Sequence, residues 1–402
     1  MGKTLDGYRE VTLPGTVETI EKLAEGLAGQ SLLHVNSTRI GGGVSEILHR
    51  LILLFEDVDL KTRWEVIEGN GEFFGMTKTF HNALQGHRLV LTPSMRRTYL
   101  DILQANADKL DLEADAVVIH DPQPAALVKR RSRAVPWIWR CHIDLSHPDR
   151  EFWKFLRSYI VEYDVAIFSL AQFAHRLPLP QLLFWPSIDP FSDKNTELSQ
   201  KEITERVSRL GVPLDRPMVL QVSRFDRFKD PVGVIQAFRR VQHHVPCALV
   251  LAGGGADDDP EAAAVLAEVR KAADGNPDIH ILMLPPTAHR DINALQRAAS
   301  VIVQKSTREG FGLTVTEAMW KGKPVVGGLA GGIAVQIVNG VNGYLVSSIE
   351  GAAFRLRSLL ERPELAARMG REGREHVRRN FLITRSLRDY LALLTWIRRQ
   401  KG

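Results

Sequence analysis

Short apolar runs alternate with longer amphipathic stretches along most of the chain. Residues 31–35 form such a run, a loop containing three glycines at 41–43 follows it, and residues 44–55 have the apolar spacing of a helix. The same alternation predicts strands at 116–119, 137–139, 165–168, 218–222, 248–252, 279–283, 301–303 and 324–326. Strands that alternate with helices are typical of a parallel sheet covered on both faces.

The alternation is interrupted between residues 178 and 195, where the chain is rich in Pro, Ser and Asp. It then restarts, and a long amphipathic helix is predicted over 383–399. We therefore expect two Rossmann-like, doubly wound α/β domains that face each other across a deep cleft. One contains residues 1–190 and is completed by a helix within 383–402, and the other contains 191–382. Such sheets bind ligands at the carboxyl ends of their strands.

Composition restricts the class of protein. The 402 residues are 44% apolar and 25% charged, which is ordinary for a globular enzyme. No apolar run approaches the roughly 18 residues that span a membrane, and no apolar signal region begins the chain. Cys141 and Cys247 are too few for a disulfide framework or a structural zinc site. We expect a cytoplasmic protein without stable membrane association.

The charge pattern argues against nucleic acid as a partner. The net charge is +5, and the basic residues are scattered rather than arranged in a stripe with interleaved aromatic residues. We expect small-molecule partners, and the oligomeric state is left open, with a homodimer as one alternative.

The sharpest candidate site follows the predicted strand at 301–303. Glu309 lies on the next loop, and Gly310 and Gly312 allow a ligand to approach the backbone. A helix is predicted from Leu313, and its free N–H groups would point at an anion. Glu317 lies about one turn inside this helix, so two carboxylates are expected to face the ligand. The alternative for Glu317 alone is a surface residue on a capped helix.

A second candidate site follows the predicted strand at 218–222. A short loop separates Arg224 from Lys229, and Pro231 suits the first turn of the next helix. A planar guanidinium and a mobile ammonium that converge here would neutralise a leaving diphosphate. Arg227 is a weaker competitor, and ordinary loop cations are the alternative.

Two histidines follow predicted strands in the first half of the chain. His120 precedes Asp121, and His142 lies two residues before Asp144. We expect each imidazole to lie near a carboxylate and to open towards a ligand. The glycines at 41–43 are less informative, because they do not fit the G-x-G-x-x-G pattern and also suit a plain tight turn.

Two clusters that suggest a metal are rejected. Residues 257–259 are three aspartates, but Asp259 before Pro260 fits a helix N-cap better. His243 and His244 lie at a predicted helix end with no further ligands in view. We expect no metal site.

These motifs resemble a known family. Seven residues separate Glu309 from Glu317, and Arg224 and Lys229 form an R-x4-K pair, as in the GT-B glycosyltransferases of family 4. The strings at 34–38, 62–69, 80–86, 120–127, 139–144 and 186–190 are similar to its trehalose-synthesising members. The resemblance implies a GT-B hexosyltransferase that moves glucose reversibly, with retention, from a nucleoside diphosphate glucose to free glucose, giving α,α-trehalose.

The resemblance also implies roles for particular residues. Arg224, Lys229, Glu309 and His142 would be catalytic, with no prosthetic group and no essential metal. Donor binding is implied for Gly42, Gly43, Gly310, Phe311, Gly312, Leu313 and Glu317, and acceptor binding for Asn36, His120, Asp121 and Asp144. One segment departs from the pattern, because residues 331–336 lack the Pro-Glu that many members carry there.

Three rival functions stay open. A retaining trehalose phosphorylase would use α-glucose 1-phosphate, and another family 4 synthase would use a different sugar acceptor. A non-catalytic sugar-nucleotide sensor would have lost the Arg/Lys or the paired Glu set, which this chain keeps. The preferred nucleotide base and the physiological direction of the reaction are not determined by the sequence.

Overall fold

The computed structural model describes residues 4–39, 43–254 and 260–401. These residues form two compact units. The second unit is Ser187–Leu382, and the first contains the residues up to Pro186 together with those from Ile383 onward. The chain therefore leaves the first unit once and returns to it for its last helix.

The sheet of the first unit has the strand order β2-β1-β3-β4-β5-β6, and all the pairings between these strands are parallel. Its described strands are β1 (Ser31–Asn36), β2 (Lys61–Val66), β3 (Ala116–His120), β4 (Trp137–Arg140), β5 (Val165–Phe168) and β6 (Gln181–Leu183). The interior strands are buried nearly throughout, which explains their continuous apolar runs.

The sheet of the second unit has the order β12-β11-β10-β7-β8-β9 and is also parallel. Its described strands are β7 (Met218–Val222), β8 (Ala248–Gly253), β9 (Ile279–Met283), β10 (Val301–Gln304), β11 (Val325–Gly328) and β12 (Gly343–Val346). Two parallel sheets with intervening helices confirm the predicted α/β class.

Most of the described helices lie between successive strands along the chain. In chain order they are α1 (Thr16–Glu25), α2 (Gly43–Glu56), α3 (Gly71–Leu84), α4 (Pro93–Lys109), α5 (Arg150–Ile160), α6 (Gln200–Arg209), α7 (Pro231–Gln242), α8 (Pro260–Ala273), α9 (His289–Ala298), α10 (Leu313–Trp320), α11 (Ile333–Gln336), α12 (Ile349–Leu360), α13 (Pro363–Asn380) and α14 (Ile383–Lys401). The last helix, α14, packs on α1 and α2 in the first unit.

Each unit has its own apolar core. Trp137 and Trp139 are fully buried in the first, and Phe238 is fully buried in the second. Cys141 and Cys247 are buried free thiols. Among the described helices, none combines the length and the apolar character that a membrane crossing requires.

Candidate active site

Glu309 and Lys229 form the charged centre of the second unit. They follow β10 and β7, which are neighbours in a parallel sheet and end at the same edge. The Lys229 ammonium donates to Glu309 Oε2 at 2.6 Å, and the Ser306 hydroxyl donates to the same oxygen at 3.2 Å. The two charged side chains are only 16% and 10% exposed. No described residue hydrogen-bonds to Glu309 Oε1, so this oxygen can accept from a ligand.

Three hydrogen bonds stabilise the turn that carries Lys229. Asp230 has a left-handed backbone, with φ of 47°, and caps α7 by accepting from the Gly233 N–H at 3.1 Å. The Lys305 ammonium donates to the other carboxylate oxygen of Asp230. The Gln221 amide donates to the Lys229 carbonyl at 2.8 Å. Sequence reasoning missed these supports, although an Asp directly before Pro231 is a recognisable N-cap signal.

Arg224 takes a different position from Lys229. Its side chain is 74% exposed, and its only described ionic partner is Asp226, at 3.6 Å. Arg227, the competitor, pairs with Glu268 at 2.6 Å instead. The structure therefore brings Lys229, and neither arginine, to Glu309.

The glycine-containing turn from Glu309 to Leu313 packs against a second glycine-containing turn, which includes Gly331 and Gly332. The Gly332 N–H donates to the Gly310 carbonyl at 3.2 Å. Gly331 has φ of 44°, and a Cβ there would lie 1.5 Å from the Glu309 carbonyl oxygen. Gly312 precedes α10 with φ of 84°. The positive φ at Gly331 and at Gly312 disfavours any residue that has a Cβ atom. At Gly331 the close contact with the Glu309 carbonyl also excludes a side chain.

Gln336 connects the two turns and was not identified from the sequence as a functional residue. Its side chain is fully buried. The amide nitrogen donates to the carbonyls of Phe311, at 2.6 Å, and Gly332, at 3.2 Å, while the amide oxygen accepts from the Thr316 hydroxyl at 2.6 Å. Gln336 lies in the segment that departs from the family pattern, and no local sequence signal indicates its burial.

Glu317 is buried rather than on the surface. It is 3% exposed, within α10. The buried Lys321 ammonium donates to the Glu317 backbone carbonyl at 3.2 Å and to Asn195 Oδ1 at 2.9 Å. Burial lowers the pKa of Lys321, and the nearby Glu317 carboxylate partly opposes that effect. The surface alternative for Glu317 is therefore wrong.

Three imidazoles form a hydrogen-bonded line in the first unit. His34 lies in β1, His120 ends β3, and His142 lies just beyond β4. His34 Nδ1 and His120 Nε2 are 2.9 Å apart, and His120 Nδ1 and His142 Nε2 are 3.0 Å apart. The rings of His120 and His142 therefore pair with other imidazoles, whereas the sequence suggested neighbouring carboxylates. The participation of His34 was not predicted.

Burial keeps these rings neutral. It lowers the pKa of His34 to about 3. It also lowers the pKa of His120 and of His142 well below the ordinary value, and the positive Arg140 guanidinium adds to the effect in both cases. Burial raises the pKa of the Asp121 carboxyl to about 6. The line of rings therefore acts as a set of neutral hydrogen-bonding groups near neutral pH.

The remaining polar residues predicted for the acceptor also have hydrogen bonds within the protein. Asp121, with φ of 67°, accepts from the His142 backbone N–H at 2.7 Å. Asp144 accepts from the Ser146 N–H at 2.8 Å. Asn36 accepts from the Trp64 indole at 2.9 Å and donates to the Thr38 carbonyl at 2.8 Å. Both polar atoms of Asn36 are thus already engaged.

Some of the residues considered in the sequence analysis lie outside the residues that the structure describes. Gly43 is the first residue of α2, whereas Gly42 lies outside the described residues. Residues 257–259, the rejected metal cluster, also lie outside them. In the described ranges, no group of three or more His, Cys, Asp or Glu side chains is arranged to hold a metal ion.

The fold and the second-unit site define a class. The model for glycosyl transferases group 1 matches residues 202–376, which include Lys229, Glu309 and Glu317. A solved α,α-trehalose-phosphate synthase (UDP-forming) from Burkholderia xenovorans is similar, with a TM-score of 0.71 and 15% identity over 91% of this chain and 100% of that one. The protein is a GT-B glycosyltransferase, a hexosyltransferase.

Full-length similarity gives the family. The model described as trehalose synthase, N-terminal domain, matches residues 34–175, which include all three line-forming histidines. A trehalose synthase from Thermococcus litoralis is 47% identical over 98% of this chain and 97% of its own length. A trehalose phosphorylase from Grifola frondosa is 30% identical over 93% of this chain but 58% of its own length. The chain belongs to the trehalose synthase family.

Proposed function

We propose that this enzyme transfers glucose from a nucleoside diphosphate glucose to free glucose, reversibly and with retention, to form α,α-trehalose. The observation that carries the proposal is the Lys229–Glu309 pair, which leaves Glu309 Oε1 open beside a glycine loop and a helix N-terminus. Similarity to trehalose synthases over nearly the whole chain supports trehalose as the product.

The second unit, residues 187–382, binds the donor in this proposal. Glu309 Oε1 accepts a hydroxyl of the transferred glucose, while Oε2 stays anchored by Lys229 and Ser306. An ammonium has three N–H donors, so Lys229 retains two for the diphosphate while it holds Glu309. Arg224, whose side chain is exposed, contributes a second cation. The glycine loop, Phe311 and the N–H groups that begin α10 approach the diphosphate.

The ribose of the donor is assigned to Glu317. This carboxylate is buried within α10, four residues before Lys321, whose ammonium lies near it. The two hydroxyl groups of a ribose can donate to a carboxylate, which is the basis of this assignment.

The first unit binds the acceptor. His142 offers its outer nitrogen, Nδ1, to a hydroxyl of glucose, and His120 and Asp121 hold the His142 ring and backbone. The donor and the product are both α-linked. We infer front-face attack, in which the leaving diphosphate oxygen takes the proton of the acceptor hydroxyl. The protein contributes positioning and charge stabilisation.

The test is product identification. Purified enzyme is incubated with glucose and a panel of nucleoside diphosphate glucoses, with EDTA present, and the disaccharide is identified by chromatography and NMR. We expect α,α-trehalose and one nucleoside diphosphate per glycosidic bond. A different disaccharide would contradict the acceptor, and a requirement for metal would contradict cation-only stabilisation. The Lys229→Ala protein serves as the control.

A trehalose phosphorylase is the second candidate, favoured by the 30% identity to the Grifola frondosa enzyme. A parallel incubation with glucose and α-glucose 1-phosphate separates the two. Release of inorganic phosphate with formation of trehalose, and no product from any nucleotide sugar, would replace the synthase proposal by the phosphorylase.

A further inference from the structure

His34 lies at the inner end of the line of imidazoles. It is fully buried, between β2 and β3 in the sheet, with Phe55 and Tyr390 as aromatic neighbours. Its Nδ1 meets His120, and its Nε2 is buried without a hydrogen-bond partner among the described residues. A buried polar atom without a partner is unfavourable, so the hydrogen bond between His34 Nδ1 and His120 Nε2 is the polar contact that the structure describes for this ring.

The outer end of the line is different. His142 is partly exposed and lines a small cavity of about 20 Å³ together with Arg140 and Tyr390. Its Nε2 is used by His120, and no described residue hydrogen-bonds to its Nδ1. His142 Nδ1 is therefore the ring nitrogen at the partly exposed end of the line that can hydrogen-bond to a ligand.

A neutral imidazole carries one N–H, so it donates from one nitrogen and accepts at the other. His120 uses both nitrogens within the line, and its two hydrogen bonds must therefore run in the same direction. If His34 donates to His120, then His120 donates to His142, and His142 Nδ1 carries a proton. If the direction is reversed, His142 Nδ1 is an acceptor.

We propose that His34 is a positioning residue that acts through His120 to fix which ring nitrogen of His142 carries the proton. The inference deepens the proposed function, on which its kinetic part rests. His142 then offers the acceptor sugar a single hydrogen-bonding role, donor or acceptor. Without His34, His120 Nε2 loses its partner, and both tautomers of His142 become populated.

Spectroscopy of the free enzyme tests the proposal without any assumption about substrates. Histidine ring nitrogens are labelled with ¹⁵N, and the tautomers of His142 and His120 are read from nitrogen–carbon-bound-proton correlation spectra. We expect one tautomer at each ring in the wild type, with the same N–H direction along the line. In His34→Leu we expect a mixture of tautomers at His142. A mixture in the wild type, or an unchanged His142 in His34→Leu, would overturn the proposal.

Kinetics with the conservative variant separate positioning from folding. His34→Asn places an amide near the former Nδ1 and can restore a partner for His120, whereas His34→Leu cannot. We expect kcat/KM for glucose to fall about tenfold in His34→Leu and less than about threefold in His34→Asn. Equal losses in the two variants would contradict positioning. If glucose is not the acceptor, the kinetic arm fails while the nitrogen spectra still decide the proposal.

A matched control comes from the second unit. His280 lies in β9, and its Nε2 is also buried without a hydrogen-bond partner. His280→Leu should leave the spectra of His142 and kcat/KM for glucose unchanged. If His280→Leu changes them as much as His34→Leu does, the effect is general and the proposal fails. Thermal unfolding of each variant verifies that the protein compared is folded.

Discussion

The ammonium of Lys229 lies 2.6 Å from Glu309 Oε2, although the two residues are 80 positions apart in the chain. The pair exists because β7 and β10 are neighbours and their loops leave the sheet at the same edge. A charge-assisted hydrogen bond between largely buried groups fixes both side chains before a ligand arrives.

Lys229→Ala should lower kcat about 10²–10³-fold, because it removes a cation that stabilises the developing charge on the diphosphate. The matched control is Arg227→Ala, whose side chain is 58% exposed and pairs with Glu268 away from Glu309. Steady-state kinetics with a saturating donor measure both. A near-wild-type kcat for Lys229→Ala would remove this residue from the mechanism.

Glu309→Gln should lower kcat by about 10²-fold or more, since the amide keeps the shape but loses the charge that holds Lys229. Lys229 and Glu309 act as a unit, so the double variant should be little worse than the poorer single variant. Additive losses in this double-mutant cycle would show that the two side chains act independently. Glu268→Gln provides the carboxylate control.

Gln336→Leu should raise the KM for the donor and reduce the free energy of unfolding by about 1–3 kcal/mol. The leucine leaves the Phe311 carbonyl and the Thr316 hydroxyl without their buried partner. Gln336→Glu keeps an acceptor for Thr316 but loses the donor to the carbonyl. Donor kinetics and chemical denaturation are the measurements, and an unchanged donor KM in both variants would contradict a role in holding the glycine loop.

Gly331→Ala should cause a large loss of activity, because its Cβ would lie 1.5 Å from the Glu309 carbonyl oxygen. Gly275→Ala is the matched control, since Gly275 also has positive φ, of 65°, but no atom within 4 Å of an added Cβ. We expect the control to lose about 1 kcal/mol of stability from backbone strain alone and to keep its activity. Equal effects at the two sites would show that contact with Glu309 is unimportant.

The free energy of unfolding should decrease at acidic pH, because the folded protein keeps the buried rings of His34, His120 and His142 neutral. The pKa of His34 is about 3 in the folded state and ordinary in the unfolded state, so the unfolded state binds more protons below about pH 6.5. Each such ring contributes a loss of up to about 1.4 kcal/mol per pH unit as the pH falls below that value. The raised pKa of Asp121, about 6, contributes a slope of opposite sign over a narrower pH range, because its protonated form is favoured in the folded state.

The comparison between wild type and His34→Asn isolates one ring. Both proteins keep His120, His142, Asp121 and Arg140, so the variant should show a shallower loss of unfolding free energy between about pH 6.5 and pH 4.5. Urea unfolding across this range measures the slopes. Parallel slopes would mean that His34 is not held neutral in the folded protein.

The local pattern of apolar and polar residues was sufficient to predict the interior strands of both sheets and the loops that carry the candidate site residues. The runs at 116–119, 218–222 and 301–303 are buried strands, because a strand covered on both faces must be continuously apolar. Three edge strands, β2, β6 and β12, were not predicted. β2 includes Lys61, Arg63 and Glu65, whose polar side chains are compatible with an edge but mask the apolar signal of a strand.

What the sequence by itself determined was the fold class, the family and the position of Glu309, Lys229, His120 and His142 after strands, because periodicity and motif spacing are local properties. Only the tertiary structure decided the partners of these groups. It placed Lys229 rather than Arg224 on Glu309, joined His34 to His120 and His142, and buried Gln336 between two glycine turns. The reason is physical: a buried polar atom is satisfied by segments distant in the chain, and packing determines which segments meet.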